Sequence, residues 1–386
     1  MTPAARIAAA AALLDTVLAG APAERTLTNW ARGARYAGSK DRAAVRDLVY
    51  DALRRRRSLA WVGGAESGRG LMLGALRLSG TDPSLLMTGE GHALSSPLED
   101  EGGRSLAEAP DGVRLDMPDW LLPRLSAALD EDLEAVCGVL ALRGPTTLRV
   151  NLLRGDRPMA QEVLAEDGIE TEPDSQVPTA LHVKTGASKV ANSRAYLTGL
   201  VELQDASSQA AVLRLPFRGG MTVLDYCAGG GGKTLAMGAL ARLRLAAHDV
   251  DPRRMADLPA RAHRAGLAVS LLDDPASLGP FDLVLVDAPC SGSGTWRRTP
   301  DAKWRLTQDR LNDLCTLQTT ILTEAAALVA ANGCLVYATC SILTEECDGA
   351  VAEFMSRNTG WAMEDRWKAL PTPFGDGFFQ VVLRRL

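Results

Sequence analysis

No run of about 18 uncharged apolar residues occurs in this 386-residue chain, so the sequence holds no candidate transmembrane helix. Metal-binding patterns are missing as well. The four histidines, His92, His182, His248 and His263, form no HExxH and no Cys/His pairing at zinc spacing. Seven cysteines are an odd number, with no CxxC and no short cysteine-rich framework. That argues against a disulfide scaffold and for reduced thiols in a cytoplasmic protein. An overall excess of positive charge is lacking too: 42 Lys and Arg face 47 Asp and Glu, a net −5. Bulk charge therefore does not announce a nucleic-acid binder.

What is present is the composition of a globular protein, 46% hydrophobic and 23% charged, with length for two or three domains. The net charge conceals an asymmetry. Residues 1–60 carry 11 basic against 5 acidic side chains, a local +6, and residues 81–135 carry 3 against 13, a local −10. A basic head is compatible with a polyanionic partner, and equally with two differently charged domain surfaces. Arg6 followed by Ile7–Leu14 imitates a signal peptide, but Asp15 interrupts the apolar run and Ile7, Ala11, Leu14 and Leu18 keep helical spacing. A helix of the mature protein is expected there.

The spacing predicts helices over 4–60, with Ser39 opening one in N-cap fashion, and a loose connector over 62–118 rich in Gly, Ser, Pro and acid. Within it only Leu71–Leu78 reads as a short helix, and helix returns over 119–140. From 146 a small β–α–β unit follows, with strand-like Thr147–Asn151 and helix-like Arg157–Glu166, leading to a helix over Ser207–Leu215. Between 220 and 340 apolar strands alternate with helices: strands near Met221–Tyr226, Arg244–His248, Ala268–Leu271, Phe281–Val286 and Gly333–Ala338. This is the signature of a doubly wound, Rossmann-like α/β sheet, whose ligands sit beyond the carboxyl ends of the strands. Three domains are expected: 1–140 helical, 141–205 small α/β, and 206–386 catalytic.

Every chemically suspicious residue falls at one of those strand ends. Tyr226-Cys227-Ala228-Gly229-Gly230-Gly231-Gly232-Lys233-Thr234 lets backbone approach a ligand and leaves helix N–H groups free. It misses the phosphate-loop pattern by one residue, since Cys227 stands where glycine is required, and it misses Gly-x-Gly-x-x-Gly at Thr234. Asp249, ending the second strand, can accept ribose hydroxyls, whereas Asp251 before Pro252 suits an N-cap. Asp273 or Asp274, ending the third, could face an adenine edge. Asp287-Ala288-Pro289-Cys290-Ser291-Gly292 follows the fourth strand and Thr339-Cys340-Ser341 the fifth. A lone strand-end cysteine is usually a small buried hydrophobe. Two, on neighbouring strands and facing the glycine loop, point to chemistry, while Cys315 and Cys334 read as core.

These motifs carry a resemblance. Residues of about 140–386 are similar to the RNA cytosine-5 methyltransferases of the Sun/Fmu type, which act on small-subunit ribosomal RNA. The matching stretches are Gln204-Asp205-Ala206-Ser207-Ser208-Gln209, the glycine loop, the Asp-Ala-Pro-Cys and Ala-Thr-Cys-Ser loops, Arg298-Thr299-Pro300-Asp301 with Lys303-Trp304, and Gly375-Asp376-Gly377-Phe378-Phe379. The N-terminal helices, with Gly38-Ser39-Lys40-Asp41-Arg42, resemble that family's NusB-like RNA-binding domain. The resemblance implies S-adenosylmethionine as cofactor, held by residues 227–233, Asp249, Asp273 and Asp287. It also implies Cys340 as the nucleophile, Cys290 as the group assisting release, Asp287 on the cofactor or the base, and RNA, most simply 16S rRNA, as partner of a monomer. Arg297, Arg298 and Lys303, with Arg54, Arg55, Arg56 and Arg57, are expected on RNA phosphates. The sequence departs from the family where Gly229 and Gly230 replace alanine and proline, which predicts a looser loop. It departs again where Thr344-Glu345-Glu346-Cys347 replaces Pro-Glu-Glu-Asn. Competing readings are a transfer-RNA methyltransferase, a P-loop NTPase using Lys233 and Asp287, and an RNA-binding assembly factor without turnover.

Overall fold

Two compact units divide the chain: Met1–Arg143 with Trp296–Thr307, and Gly144–Thr295 with Gln308–Leu386. The structure, a computed structural model, describes residues 1–99 and 101–386.

The first unit is helical. Helices Pro3–Leu18, Ala23–Gly33, Ser39–Arg54, Arg56–Gly63 and Gly68–Leu78 bury Ile7, Leu14, Leu27, Val45, Val49, Leu53, Leu59 and Leu71 in one core. Ser39 is the first helical residue rather than the cap. Gly38 caps, and the Asp41 carboxylate reaches back to accept its N–H at 3.2 Å. The loose connector begins later than the composition suggested, because Gly68–Leu78 is a full helix packed into the core. Over 119–140 two helices, Leu122–Leu129 and Leu133–Leu140, replace the single one expected. Asp130, at φ +47°, breaks the run between them.

Sequence order hides one part of this unit. Trp296–Thr307, far along the chain, packs among the N-terminal helices. Trp296 is 1% exposed. The Trp304 indole N–H donates to the Leu53 carbonyl at 2.6 Å, and Asp301 accepts the N–H of Ala23, the first residue of its helix, at 3.3 Å.

The second unit contains two sheets. The smaller has strands β1 (Thr147–Val150), β2 (Glu170–Pro173), β3 (Ala180–Thr185) and β4 (Val201–Leu203), in the order β2-β3-β1-β4 with antiparallel pairing. Its helix is Arg157–Glu166, as the spacing predicts. The larger sheet comprises β5 (Thr222–Asp225), β6 (Arg244–Ala247), β7 (Val269–Leu271), β8 (Phe281–Asp287), β9 (Val329–Thr339), β10 (Trp361–Ala369) and β11 (Phe378–Arg385). Their order is β10-β11-β9-β8-β5-β6-β7. The five strands β5–β9 run parallel, so the sheet is doubly wound as expected. The sequence reading stops before β10 and β11, which add an antiparallel edge. Buried residues from 378 to 383 were the available signal.

Chain direction decides where a ligand can enter. From β5 the chain winds outward through β6 and β7, then returns to β8 on the other side. That reversal opens a crevice at the carboxyl ends of β5 and β8. Asp225, Asp287 and Cys290 lie on or just past these ends, with Cys340 past the end of β9 and Asp249 past the end of β6.

Candidate active site

The turn from β5 into helix Gly232–Leu240 needs glycine. Gly229 and Gly231 adopt φ +50° and +78°, and a Cβ on Gly231 would lie 2.2 Å from a Leu258 methyl. The loop is not loose, contrary to the expectation from Gly229 and Gly230. The Ala228 N–H donates to the His248 carbonyl at 2.8 Å, the Gly231 N–H to the Ala228 carbonyl at 2.8 Å, and the Gly229 N–H to Asp249 Oδ2 at 2.9 Å. Arg261 donates to the Gly230 carbonyl, and Arg149 Nη1 to the Gly232 carbonyl at 2.8 Å. Arg261 and Arg264 share the buried carboxylate of Glu202. Arg149 on β1 and Glu202 on β4 thus tie the small sheet to the glycine loop. Side chains replace the rigidity that alanine and proline would have provided.

Asp249 stands where the sequence put it, 2% exposed, and accepts from the Gly229 and Asp251 N–H groups and from Arg254. Asp251 caps the short turn Pro252–Met255, as assigned. Asp273 lies exposed just beyond β7. Cys227 is partly buried, and burial pushes its thiol well above the ordinary range, so it is no nucleophile. The sequence reading missed Asp225. Its Oδ2 accepts from the Thr234 hydroxyl at 2.6 Å, while its buried Oδ1 has no protein partner. Burial raises its carboxyl to about 6 against the lowering effect of that hydrogen bond. An acid closing the apolar run Val223–Leu224 was a readable signal, eclipsed by the glycines that follow.

Lys233 meets a carboxylate. Its Nζ donates to Asp287 Oδ2 at 2.6 Å and lies 5.0 Å from the Phe378 ring centroid. Burial alone would depress its pKa, but Asp287 beside it outweighs burial, and the pKa is raised.

Cys290 and Cys340 come together as expected, their sulfurs 3.5 Å apart and both partly exposed. They are not equivalent. The hydrogen bond with Cys290 lowers the Cys340 pKa below its ordinary value of 9.0; burial and Asp287 oppose this, and Lys233 and Thr295 assist it. The same bond, then burial, then the charges of Cys340 and Glu346 hold Cys290 far above that value. Both shifts point the same way, making Cys340 the more acidic thiol of the pair. Cys334 is buried as expected, whereas Cys315 is only half-buried.

Glu346 stands in the sequence within Thr344-Glu345-Glu346-Cys347. It is fully buried, and its carboxylate accepts from the Ser291 N–H at 2.7 Å, the Ser291 hydroxyl, the Ser341 hydroxyl at 2.6 Å and Gln318 Nε2 at 3.1 Å. Ser291 follows Cys290 and Ser341 follows Cys340, so one side chain fastens both cysteine loops. No local pattern reveals this, since the three residues are 55 and 5 positions apart.

The expected phosphate contacts need correcting. Arg54, Arg297 and Lys303 are 5%, 1% and 2% exposed inside the helical unit. Arg54 Nε donates to the Arg297 carbonyl at 2.7 Å, and Lys303 Nζ to the Asp116 carbonyl at 2.5 Å and the Arg54 carbonyl at 3.3 Å. Arg56 pairs with Glu66, and Arg57 with Asp119. Burial removes Arg54, Arg297 and Lys303 from phosphate chemistry, whereas Arg56 and Arg57 stay partly exposed beside their acids. Arg298 is exposed and Arg55 partly so.

Comparison with known proteins bears on this geometry. Residues 212–376 match a family model described as 16S rRNA methyltransferase RsmB/F, and residues 117–190 one described as the RsmF/B-like ferredoxin-like domain. Residues 1–116 lie outside both, and the expected likeness to NusB is not shown. Ribosomal RNA small subunit methyltransferase B of Citrobacter koseri is 35% identical over 296 residues, 72% of this chain and 69% of the relative. The corresponding protein of Sodalis glossinidius is 35% identical over 278 residues, 68% of this chain and 64% of the relative. The chain thus spans just under two thirds of that relative's length. Among solved structures, that of PH0851 aligns over 100% of this chain and 99% of its own with a TM-score of 0.78 at 24% identity. NSun6 from Pyrococcus horikoshii aligns over 70% and 98% with a TM-score of 0.61 at 18% identity. At these identities the two structures speak for the fold.

Proposed function

Because this chain belongs to the RsmB/F family of 16S rRNA methyltransferases, we propose that it transfers a methyl group from S-adenosylmethionine to carbon 5 of a cytosine in small-subunit ribosomal RNA, in the cytoplasm. The observation that carries this reading is the unequal thiol pair, 3.5 Å apart, set over the Lys233–Asp287 ion pair. The crevice fits the cofactor. Asp225 Oδ1 is a buried acceptor in need of a donor, and the glycine loop and Asp249 border the same opening. Bound there, S-adenosylmethionine supplies an electrophilic methyl on a sulfonium.

The protein's own residues do the rest. Carbon 5 of cytosine is a poor nucleophile until the Cys340 thiolate adds to carbon 6, which makes the ring enamine-like. Asp287, a third exposed and bonded to Lys233, can engage the N3/N4 edge of the base. Once Cys340 is bonded to carbon, its negative charge no longer holds the proton on Cys290. Cys290 can then ionise to solvent and accept the carbon-5 proton, and elimination of the Cys340 thiolate restores the aromatic ring. A cytosine within a helix must first be unstacked at a cost of a few kcal/mol, which favours a flexible or partly assembled RNA.

The two cysteines give the test. With substrate RNA and cofactor both present, Cys290→Ala should accumulate a denaturation-resistant protein–RNA adduct, since the bond forms and release fails. Cys340→Ala should form no adduct and methylate nothing, and the double variant should behave like Cys340→Ala. Adduct in Cys340→Ala instead exchanges the roles. Full turnover in both single variants leaves an RNA-binding factor in which the cysteines only pack.

A further inference from the structure

Two cysteines of one chemical kind face each other, yet the proposed chemistry needs one ionised and the other protonated. Their nearest neighbours differ in charge. Around Cys340 stand Lys233 on the helix after the glycine loop, Asp287 at the end of β8 and the Thr295 hydroxyl. Around Cys290 stand Glu346 on the turn Thr344–Glu346 and Tyr337 on β9. Cys315, on helix Gln308–Ala327, also feels Glu346.

The bonds around Glu346 fix its role. The Ser291 oxygen already accepts from the Ser293 N–H at 3.3 Å, and the Ser341 oxygen from the Leu343 N–H at 3.1 Å. Both hydroxyls donate to Glu346, together with the Ser291 N–H and the Gln318 amide, and the Ser341 oxygen also meets the Ser293 hydroxyl at 2.9 Å. Four donors converge, which an acceptor-only carboxylate satisfies. Its backbone carbonyl accepts from the buried Tyr337 hydroxyl at 2.7 Å, which stops the turn from rotating away. The carboxylate is thus locked one residue from each catalytic thiol. On the Cys290 side only the Gly292 N–H is named against it, whereas on the Cys340 side Lys233 supplies a full opposite charge.

We propose that Glu346 is a positioning residue that divides the labour of the two cysteines: its buried charge keeps Cys290 protonated and so leaves Cys340 as the thiolate. The proposal rests on reading the two cysteines as the catalytic pair. The raised Cys290 and lowered Cys340 values agree with it in direction.

The test reads ionisation alone and uses neither RNA nor cofactor, so it stands apart from methyl transfer. The full chain is treated briefly with iodoacetamide between pH 6 and 10, and modification at each cysteine is counted by peptide mass spectrometry. Since the thiolate is the reactive form, the unaltered protein should label Cys340 in preference to Cys290 near pH 7.5. Glu346→Gln keeps the shape and removes the charge. It should cut that preference by about tenfold, the scale of one buried charge acting over a few ångströms, and move the Cys290 labelling midpoint to lower pH. Ser341→Ala keeps the charge and removes one donor, and it should leave the preference within about twofold. An unchanged ratio in a folded Glu346→Gln overturns the proposal. If that variant does not fold, Glu346→Asp and Ser341→Ala decide: both keep a charge there, and a tenfold fall in either shows that packing rather than charge sorts the thiols.

Discussion

A thiol becomes a nucleophile through the charges set around it, and Lys233 is the cation nearest to that task. Its ammonium lies buried against Asp287 and lowers the Cys340 pKa, while burial and Asp287 act to raise it. Lys233→Met removes the favourable charge and leaves Asp287 unneutralised, so both changes disfavour the thiolate. The pH at which activity falls off on the acid side should therefore move upward by about one unit. Methyl-transfer rates at saturating cofactor, taken from pH 6 to 9, check this. An acid limb that stays in place would show that Cys290, and not Lys233, sets the ionisation. Cysteines outside the site confirm the rule by contrast: burial pushes Cys347 up to about 12 and leaves it inert.

At the scale of an element, the helix Pro300–Arg305 reverses what its sequence suggests. Its Lys303 resembles a phosphate contact in a list of basic residues. In the fold it is a buried pin, 4.5 Å from the Trp304 ring centroid and bonded to two carbonyls. Burial lowers its pKa from 10.5 to about 8. A lysine whose folded pKa lies below its unfolded one binds fewer protons folded than unfolded between those values. Its contribution to stability is thus fully present above about pH 10.5 and is lost as pH falls through 8. Lys303→Met abolishes that dependence. Urea denaturation should show the unaltered protein gaining on the variant by up to ~1 kcal/mol per pH unit across that window. A constant gap would mean that Lys303 stays charged when folded. RNA affinity is expected to follow the folded fraction in either protein.

Over the whole molecule, the division into units does not follow chain order. Residues 1–143 leave Trp296, Lys303 and Trp304 behind if they are expressed alone, because Trp296–Thr307 belongs to their unit. Losing one buried tryptophan alone typically costs about 3–5 kcal/mol, a large part of a small domain's stability. The fragment 1–143 should therefore unfold at clearly lower urea than the helical unit does in the full chain, and a version carrying 296–307 through a flexible linker should recover. Equal midpoints for fragment and full chain would reject this division. The basic surplus of residues 1–60 reads differently in this light. Several of its arginines, among them Arg54, Arg56 and Arg57, are committed to partners within the unit.

The sequence by itself determined the parallel sheet, the glycine turn, the strand-end acids and the two cysteine loops. Each of these is written in consecutive residues, as an apolar run ending in a polar one, and backbone sterics and strand periodicity act over that same short range. Only the tertiary structure makes the two cysteines unequal in acidity, because Lys233, Asp287 and Glu346 reach the pair from three separate segments. It alone decided that Arg54, Arg297 and Lys303 are buried, since burial depends on what packs above a side chain and not on its neighbours in sequence. The same holds for Glu202 and Arg261, which hold the glycine loop from outside: charge interactions act through space, and the chain brings such residues together only when it folds.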